Sequence, residues 1–378
     1  MRLVSLSYVQ WKGTSREWRI DGVTFSPINL LVGPNASGKT RILNVIAVLA
    51  KLMAGDQKAT LLTGEWDVTF ESDAEWFEYI LHIDDQKVKK EVFRDEKKTY
   101  LERGLGGIGK IWAEKLGKEI DIQVTENELA AVARRDSIQH PFFEPLNRWG
   151  TTLYHYQFGT SLGKDTMVIL VDPSVKQELN PRDPMQVIAI YREGHKNFGK
   201  KFDESIKGDM ATIGYPIDTL GTATPTSVQI QGAQPITLYV KESELGDVTD
   251  QIDMSQGMFR AFSIIIQLNY CAMSGRPSCI LIDDIGEGLD FERSCSLIKL
   301  LMRKVEDAHV QLIMATNDRF VMNTVPLEAW TLLRRTGPKI QIYNYLNSKE
   351  QFDKFKFTGM NNFDFFASDF LHDTDSGK

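Results

Sequence analysis

Cysteine and histidine are scarce in this chain, three and six in 378 residues. Cys271, Cys279 and Cys295 lie in or near apolar segments without ligand spacing, and the histidines are scattered. That excludes a disulfide framework and a zinc site as organising features, and buried thiols in a reducing compartment are expected. Long apolar runs are missing too. No segment approaches the roughly 18 consecutive apolar residues of a membrane span, and the opening MRLVSLSYVQWKG is too short and polar for a signal peptide. A cytoplasmic protein with no membrane partner is the expectation. Without a heptad run, repeat or low-complexity tract, a long coiled coil is excluded. Positive charge is not in excess: the net charge of −7 argues against coating nucleic acid by charge alone, which leaves only a local basic patch as a route to DNA. No Ser–His–Asp arrangement and no acidic nuclease cluster is seen in cis.

What is present is an ordinary soluble composition, 42% hydrophobic and 25% charged, long enough for two or three domains or one core with a large insertion. Residues 33–40 read GPNASGKT, directly after the apolar run Ile28-Asn29-Leu30-Leu31-Val32. Gly33, Pro34, Asn35, Ala36, Ser37 and Gly38 form a loop whose glycines let backbone N–H groups turn inward onto phosphate oxygens. Lys39 brings positive charge to the terminal phosphates, and the Thr40 hydroxyl suits Mg²⁺. A helical run through Leu43, Val45, Ile46 and Leu49 aims its positive end at the same anion. The pattern implies a nucleoside triphosphate, ATP, held with Mg²⁺.

Residues 1–32 read as strands (Leu3 to Val9, Trp18 to Phe25, and the run entering the loop). Residues 66–103 read as an antiparallel meander with turns at Asp84-Asp85 and Asp95-Glu96. Patterning between 107 and 150 is mixed, with helices expected over Glu126 to Arg134 and Pro141 to Trp149. Strands are expected at Thr152–Tyr156, Met167–Val171 and Val187–Tyr191, and 193–235 is the least readable stretch. From Asp253 a polar-capped, strongly apolar helix begins. The strand Ser278 to Ile282, a helix from Phe291 to Lys304 and the strand Val310 to Met314 follow, an alternation that argues a parallel sheet with helices on its faces. The aromatic-rich stretch from Phe352 to Leu371 reads as a core or docking segment. Four regions are expected: 1–106, the first part of the core with the loop and meander; 107–244, an inserted α+β region; 245–345, the second lobe of the core; and 346–378, an aromatic segment and tail.

A phosphate loop needs a carboxylate for Mg²⁺ and a group to orient water. CILIDDIGEGLD offers both: Asp283 at the strand's end is placed to hold Mg²⁺, and the adjacent Asp284 to polarise water.

At this point a family resemblance appears. MSQGM at 254–258 resembles the signature loop of ABC-type ATPases, EGLD at 287–290 resembles their D-loop, and ATND at 315–318 stands where their switch-histidine loop falls. The order of these motifs, the longer middle and the IDDIGEGLD wording make the chain similar to stand-alone ATPases of the overcoming-lysogenization-defect and AAA-like defence group, cousins of the SMC and recombination ATPases. The resemblance implies an α/β P-loop NTPase with an ABC-type ATPase head: a mixed parallel core sheet, an antiparallel β subdomain and an inserted α+β region. It also implies a head-to-tail dimer, or a higher even oligomer, in which Ser255, Gln256 and Gly257 of one copy and the D-loop with Asp290 face the ATP on the other copy's phosphate loop. Two readings compete for Ser255: an anion-facing helix start, and an ordinary cap of a core helix. Gln157 is the best candidate for a metal-contacting Q-loop glutamine, and Trp11 or Trp18 for a base-stacking aromatic.

Two positions depart from the family pattern. Asp284 stands where it carries Glu, and Asn317 where it carries His; Asn317 can bond a γ-phosphate but cannot take up a proton near neutral pH. Slow turnover follows as an expectation, with Glu287 as a reserve base. The leading expectation is an ATP-clamped switch in bacterial anti-phage defence controlling a separately encoded effector, a nuclease by the resemblance, since the chain ends soon after its last strand. The alternatives are a DNA-binding recombination or repair clamp, with Lys196, Lys200, Lys201 and Lys207 as part of its basic face, and a transporter ATPase subunit.

Overall fold

A computed structural model of the chain describes residues 1–170, 179–225, 234–275, 278–368 and 370. Strands β1 (Arg2–Gln10), β2 (Trp18–Thr24) and β3 (Ile28–Val32) precede helix α1 (Lys39–Ala54). Six strands then follow as antiparallel hairpins: β4 (Gly64–Ser72), β5 (Glu75–Asp84), β6 (Lys87–Asp95), β7 (Thr99–Arg103), β8 (Ile108–Ala113) and β9 (Lys118–Gln123). Helices α2 (Ala130–Ala133) and α3 (Glu144–Thr151) lead to β10 (Leu153–Gln157). The next region holds β11 (Val168–Leu170), α4 (Val187–Phe198), α5 (Lys200–Thr212), β12 (Ile217–Ala223), β13 (Gln234–Glu242) and β14 (Thr249–Asp250). After it come α6 (Gln256–Ser274), β15 (Cys279–Asp283), α7 (Phe291–Asp307), β16 (Gln311–Ala315) and α8 (Arg319–Thr324). The hairpin β17 (Trp330–Thr336) and β18 (Lys339–Asn344), with α9 (Lys349–Lys356) and α10 (Asn362–Ala367), completes the described order.

One 14-stranded sheet runs β10-β15-β16-β3-β17-β18-β2-β1-β4-β5-β6-β7-β8-β9. Its first five strands are parallel, and the run from β4 to β9 is antiparallel. The parallel strands are mostly apolar because both faces are covered, and their side chains divide by alternation. Leu30, Val32, Ile280, Ile282, Leu312 and Met314 face one core, with α6, α7 and the C-terminal phenylalanines Phe352, Phe355 and Phe365. Leu31, Leu281, Ile313 and Ala315 face the other, with α1 and the meander. Helix α6 is buried on nearly every side, and each fully buried aliphatic or phenylalanine side chain along it contributes about 1.5–3 kcal/mol. A smaller four-stranded sheet, β11-β13-β12 with β14 on β13, stands beside it.

Three features differ from the sequence reading. Val187–Tyr191 is expected as a strand and is the start of α4. Its buried residues Val187, Ile190, Tyr191 and Gly194 fall on one helical stripe, and Asp183 accepts from the Met185 N–H to open the turn that feeds it. The meander does not stop at Arg103: the stretch Gly104 to Gly107 is a tight turn into two more strands, β8 and β9. Helix α2 covers only Ala130–Ala133 of the longer helix expected there. Residue Val171 of the expected strand and Leu371 lie outside the described residues. Among the described residues, no helix is long and apolar enough to cross a membrane.

Candidate functional site

The sheet order brings the motifs together. Gln157, Asp283, the Ala315–Asn317 stretch and Gly33 stand at the carboxyl ends of β10, β15, β16 and β3, four neighbouring parallel strands. Ligands of open parallel sheets sit at that edge. Gln157 is paired in register with Asp283, and the Phe158 N–H donates to the Asp283 carbonyl at 2.9 Å.

The loop from Gly33 to Gly38 closes over the start of α1. Gly38 has φ 108°, and a Cβ there would stand 2.5 Å from Ile340 Cδ1, so only glycine permits this turn. Lys39 is buried and folds back along the loop, donating from Nζ to the carbonyls of Gly33 at 2.8 Å and Pro34 at 3.3 Å. Burial pushes its pKa down, and the charges of Asp284 and Asp283 oppose that shift. The Asp283 carboxylate is pushed up, first by burial, with the negative charge of Asp284 adding and the hydrogen bond from the Thr40 side chain opposing. Two polar atoms at this edge are buried without a hydrogen-bond partner among the described residues, Asp283 Oδ1 and Ser37 Oγ. An orphaned carboxylate oxygen beside a hydroxyl suits a hydrated divalent cation, because Mg²⁺ keeps most of its waters and takes few protein ligands, while the nearby ammonium suits phosphate. Thr40 and Asp283 are the residues that would hold it.

Asn317 donates from Nδ2 to Asn35 Oδ1 at 3.1 Å, joining the switch position to the phosphate loop. Thr316 fixes that segment by donating to the Ile285 carbonyl at 2.9 Å. Asp284 has φ 52°, a left-handed backbone that turns its side chain out of the strand. Both Asp284 and Glu287 face Gly159: a Cβ there would stand 2.7 Å from Glu287 Oε2 and 3.5 Å from Asp284 Oδ2. The two candidate bases therefore share one approach, beside the strand end that carries Gln157.

Ser255, Gln256, Gly257 and Asp290 form a second group. Ser255 caps α6, accepting from the Met258 N–H at 3.2 Å. Asp290 caps α7, accepting from the Arg293 N–H at 3.0 Å, and pairs with the Arg293 guanidinium. Gly257 packs so tightly on the D-loop turn that a Cβ would meet the Gly288 carbonyl at 2.2 Å. These contacts run between the two loops and to Arg293, and none of them is made with the phosphate loop of the same chain.

Arg260 joins the two groups, and motif reading passes it over. Its guanidinium donates to the carbonyls of Thr160 (2.9 Å), Gly159 (2.8 Å) and Glu287 (3.0 Å). The available signal is a lone arginine in an otherwise apolar run, MFRAFSIII. A buried charge must find partners, and carbonyls of two site loops supply them. Of the two tryptophans considered for base stacking, Trp18 is buried in the core, a consequence of its place on an inner strand, while Trp11 is exposed. Arg41 lies over both rings, 4.1 Å from the Trp18 centroid and 5.6 Å from that of Trp11. The lysines considered for DNA are partly neutralised: Lys196 pairs with Glu193 at 3.8 Å and Lys207 with Glu204 at 2.7 Å, while Lys200 and Lys201 open α5.

A phosphate loop, an acidic strand end and a capped helix start stand on one mixed sheet in an α/β fold. Comparison with solved structures agrees. The chain is similar to an SMC head bound to the C-winged helix domain of ScpA, at 12% identity with a TM-score of 0.52, over 91% of this chain and 98% of that one. It is likewise similar to an Smc head with an extended coiled coil, bound to the C-terminal domain of ScpA derived from Pyrococcus furiosus, at 11% identity and a TM-score of 0.50, over 94% and 99%. At these identities the likeness concerns the fold. No family model and no curated protein matches the chain.

Proposed function

We propose that the chain binds Mg-ATP at the Gly33–Thr40 loop and hydrolyses it slowly, with ATP acting chiefly as a clamp between two copies. The observation that carries this reading is Asp283 Oδ1, buried beside Thr40 and Lys39 without a hydrogen-bond partner among the described residues. Lys39 would leave the loop carbonyls for the phosphates, whose negative charge compensates its burial. Mg²⁺, when bound, neutralises charge on the phosphate oxygens. Asp284 orients water, Gln157 contributes at the metal side, Asn317 bonds the terminal phosphate, and Glu287 stands in reserve as base. Slow turnover is supported by the side chains present, since Asp284 is one methylene shorter than Glu and Asn317 takes up no proton. Ser255, Gln256, Gly257 and Asp290 would face the ATP of a second copy, which fits contacts that do not include the phosphate loop of their own chain.

In a cell, the switch would report to a separately encoded effector, a nuclease in an anti-phage defence system. That part is supported by motif wording alone, and co-purification of a nuclease from the native host in Mg-ATP, lost in Lys39→Ala, tests it. The enzymatic part is tested by phosphate release from the purified chain. Turnover below about one per second, abolished by Lys39→Ala, is expected; tens per second, or an unaffected Lys39→Ala, would contradict it.

A further inference from the structure

The segment between β13 and α6 leaves three aliphatic side chains in solvent, Leu245 at 50% exposure, Val248 at 53% and Ile252 at 41%. Acids without an ion pair accompany them: Glu244, Asp247 and Asp253 are exposed and have no cationic partner among the described residues. Two residues beyond Asp253 stands Ser255, the cap of α6. The hairpin is held from behind rather than at its tip. Buried Gln251 donates from Nε2 to the carbonyls of Lys164 and Thr166, each at 2.8 Å, and accepts from the Leu238 N–H at 3.0 Å. An apolar tip with acidic flanks is thus presented on a rigid base.

The rim of the phosphate loop has the opposite character. Trp11, 39% exposed, lies in the β1–β2 turn with Arg16, and Arg41 and Arg335 stand close enough to oppose one another electrostatically. Arg16, Arg41 and Arg335 have no carboxylate partner among the described residues. Within one chain the hairpin's contacts run to the small sheet and the segment after β10, not to this rim.

We infer that the acidic, apolar hairpin 243–253 of one copy docks on the Trp11–Arg16–Arg335 rim of a second copy, and that this contact sets the register of the ATP-bound dimer. The inference rests on the nucleotide-site reading above and adds the surfaces that select the partner. Complementary charge supplies register and rejects like surfaces, while Leu245 and Val248 against the Trp11 ring supply apolar burial. In a two-fold arrangement each copy offers both halves, so the contact is made twice.

A charge-reversal pair tests it, read by sedimentation in Mg²⁺ with a non-hydrolysable ATP analogue and by binding of a fluorescent ATP. Glu244→Lys with Asp247→Lys gives a chain with two positive surfaces; Arg16→Glu with Arg335→Glu gives one with two negative surfaces. Each alone is expected to bind the fluorescent nucleotide like wild type at a chain concentration low enough that wild type is monomeric, and to self-associate at least about tenfold more weakly at higher concentration. Mixed one to one, they are expected to regain the wild-type dimer, because both contacts in the heterodimer are then complementary. Unchanged self-association of either variant, or no recovery on mixing, overturns the hairpin contact while leaving the nucleotide site standing. So does a wild-type chain that binds nucleotide and stays monomeric. A wild-type chain that binds no nucleotide overturns both readings.

Discussion

Two regions of this molecule bury opposite charges, and they do so differently. In the meander, Glu91 and Arg103 form an ion pair at 2.7 Å with neither side chain exposed. Glu91 also accepts from the Tyr79 hydroxyl at 2.8 Å and from the N–H groups of Ala130 and Ala131 at 2.8 and 3.0 Å, and Arg103 donates to the carbonyls of Thr125 and Glu128. The set is closed: a carboxylate on a strand receives the open N-terminus of α2 and pins the end of the meander to it. At the phosphate loop, Lys39, Asp283 and Asp284 lie near one another, yet Lys39 rests on backbone carbonyls and Asp283 Oδ1 has no partner among the described residues. A closed set specifies structure, while an open one costs stability until something enters it. That asymmetry distinguishes the site from the scaffold more sharply than the presence of buried charge does.

Breaking the closed set should have the largest effect. Glu91→Ala leaves Arg103 and two N–H groups buried without their acceptor, and is expected to destabilise by about 3–5 kcal/mol in urea unfolding. Any folded fraction should keep its nucleotide affinity. Asp283→Asn should invert this pattern, with turnover falling on the order of 100-fold while the ligand-free melting temperature holds or rises, because a carboxylate disfavoured by burial has been neutralised. A large loss of stability in Asp283→Asn would erase the contrast. A smaller effect sharpens the account within the site: Asp284→Glu is expected to raise turnover roughly tenfold, and no change would shift the base role to Glu287.

The smallest effect lies away from the site. His155 has a buried Nε2 without a partner among the described residues, in a cleft with Lys51 and Arg182, and burial, with Lys51 adding, pushes its pKa down to about 4 from the usual 6.5. The folded state keeps it neutral while the unfolded chain takes up a proton near 6.5. Its contribution is therefore complete above that pH and is lost as pH falls towards 4. Urea midpoints at pH 7 and pH 5 should differ less in His155→Gln than in wild type.

The site was legible where residue type and position are coupled by chemistry. The GPNASGKT loop and the acids after CILI mark strand ends, and the parallel order places those ends side by side. The hydrophobic alternation that announces β4 to β7 was equally plain. Val187–Tyr191 misled because a β-branched run fits a buried helix stripe as well as a strand, and only the packing of Tyr191 and Gly194 decides. Arg260 was illegible because its partners are carbonyls of loops about 100 and 27 residues distant, which no local pattern encodes. Nor could sequence choose between cap and anion site for Ser255: the hydroxyl does cap α6, and the anion role is part of the proposal that needs a second copy.

The most direct test of the open site is calorimetric titration of ATP into wild type and Asp283→Asn, each with and without Mg²⁺. The account predicts that Mg²⁺ tightens binding to wild type at least about tenfold and leaves Asp283→Asn nearly unaffected. An equal Mg²⁺ dependence in the two proteins would contradict it, because the unpartnered carboxylate would then not be where the cation is held.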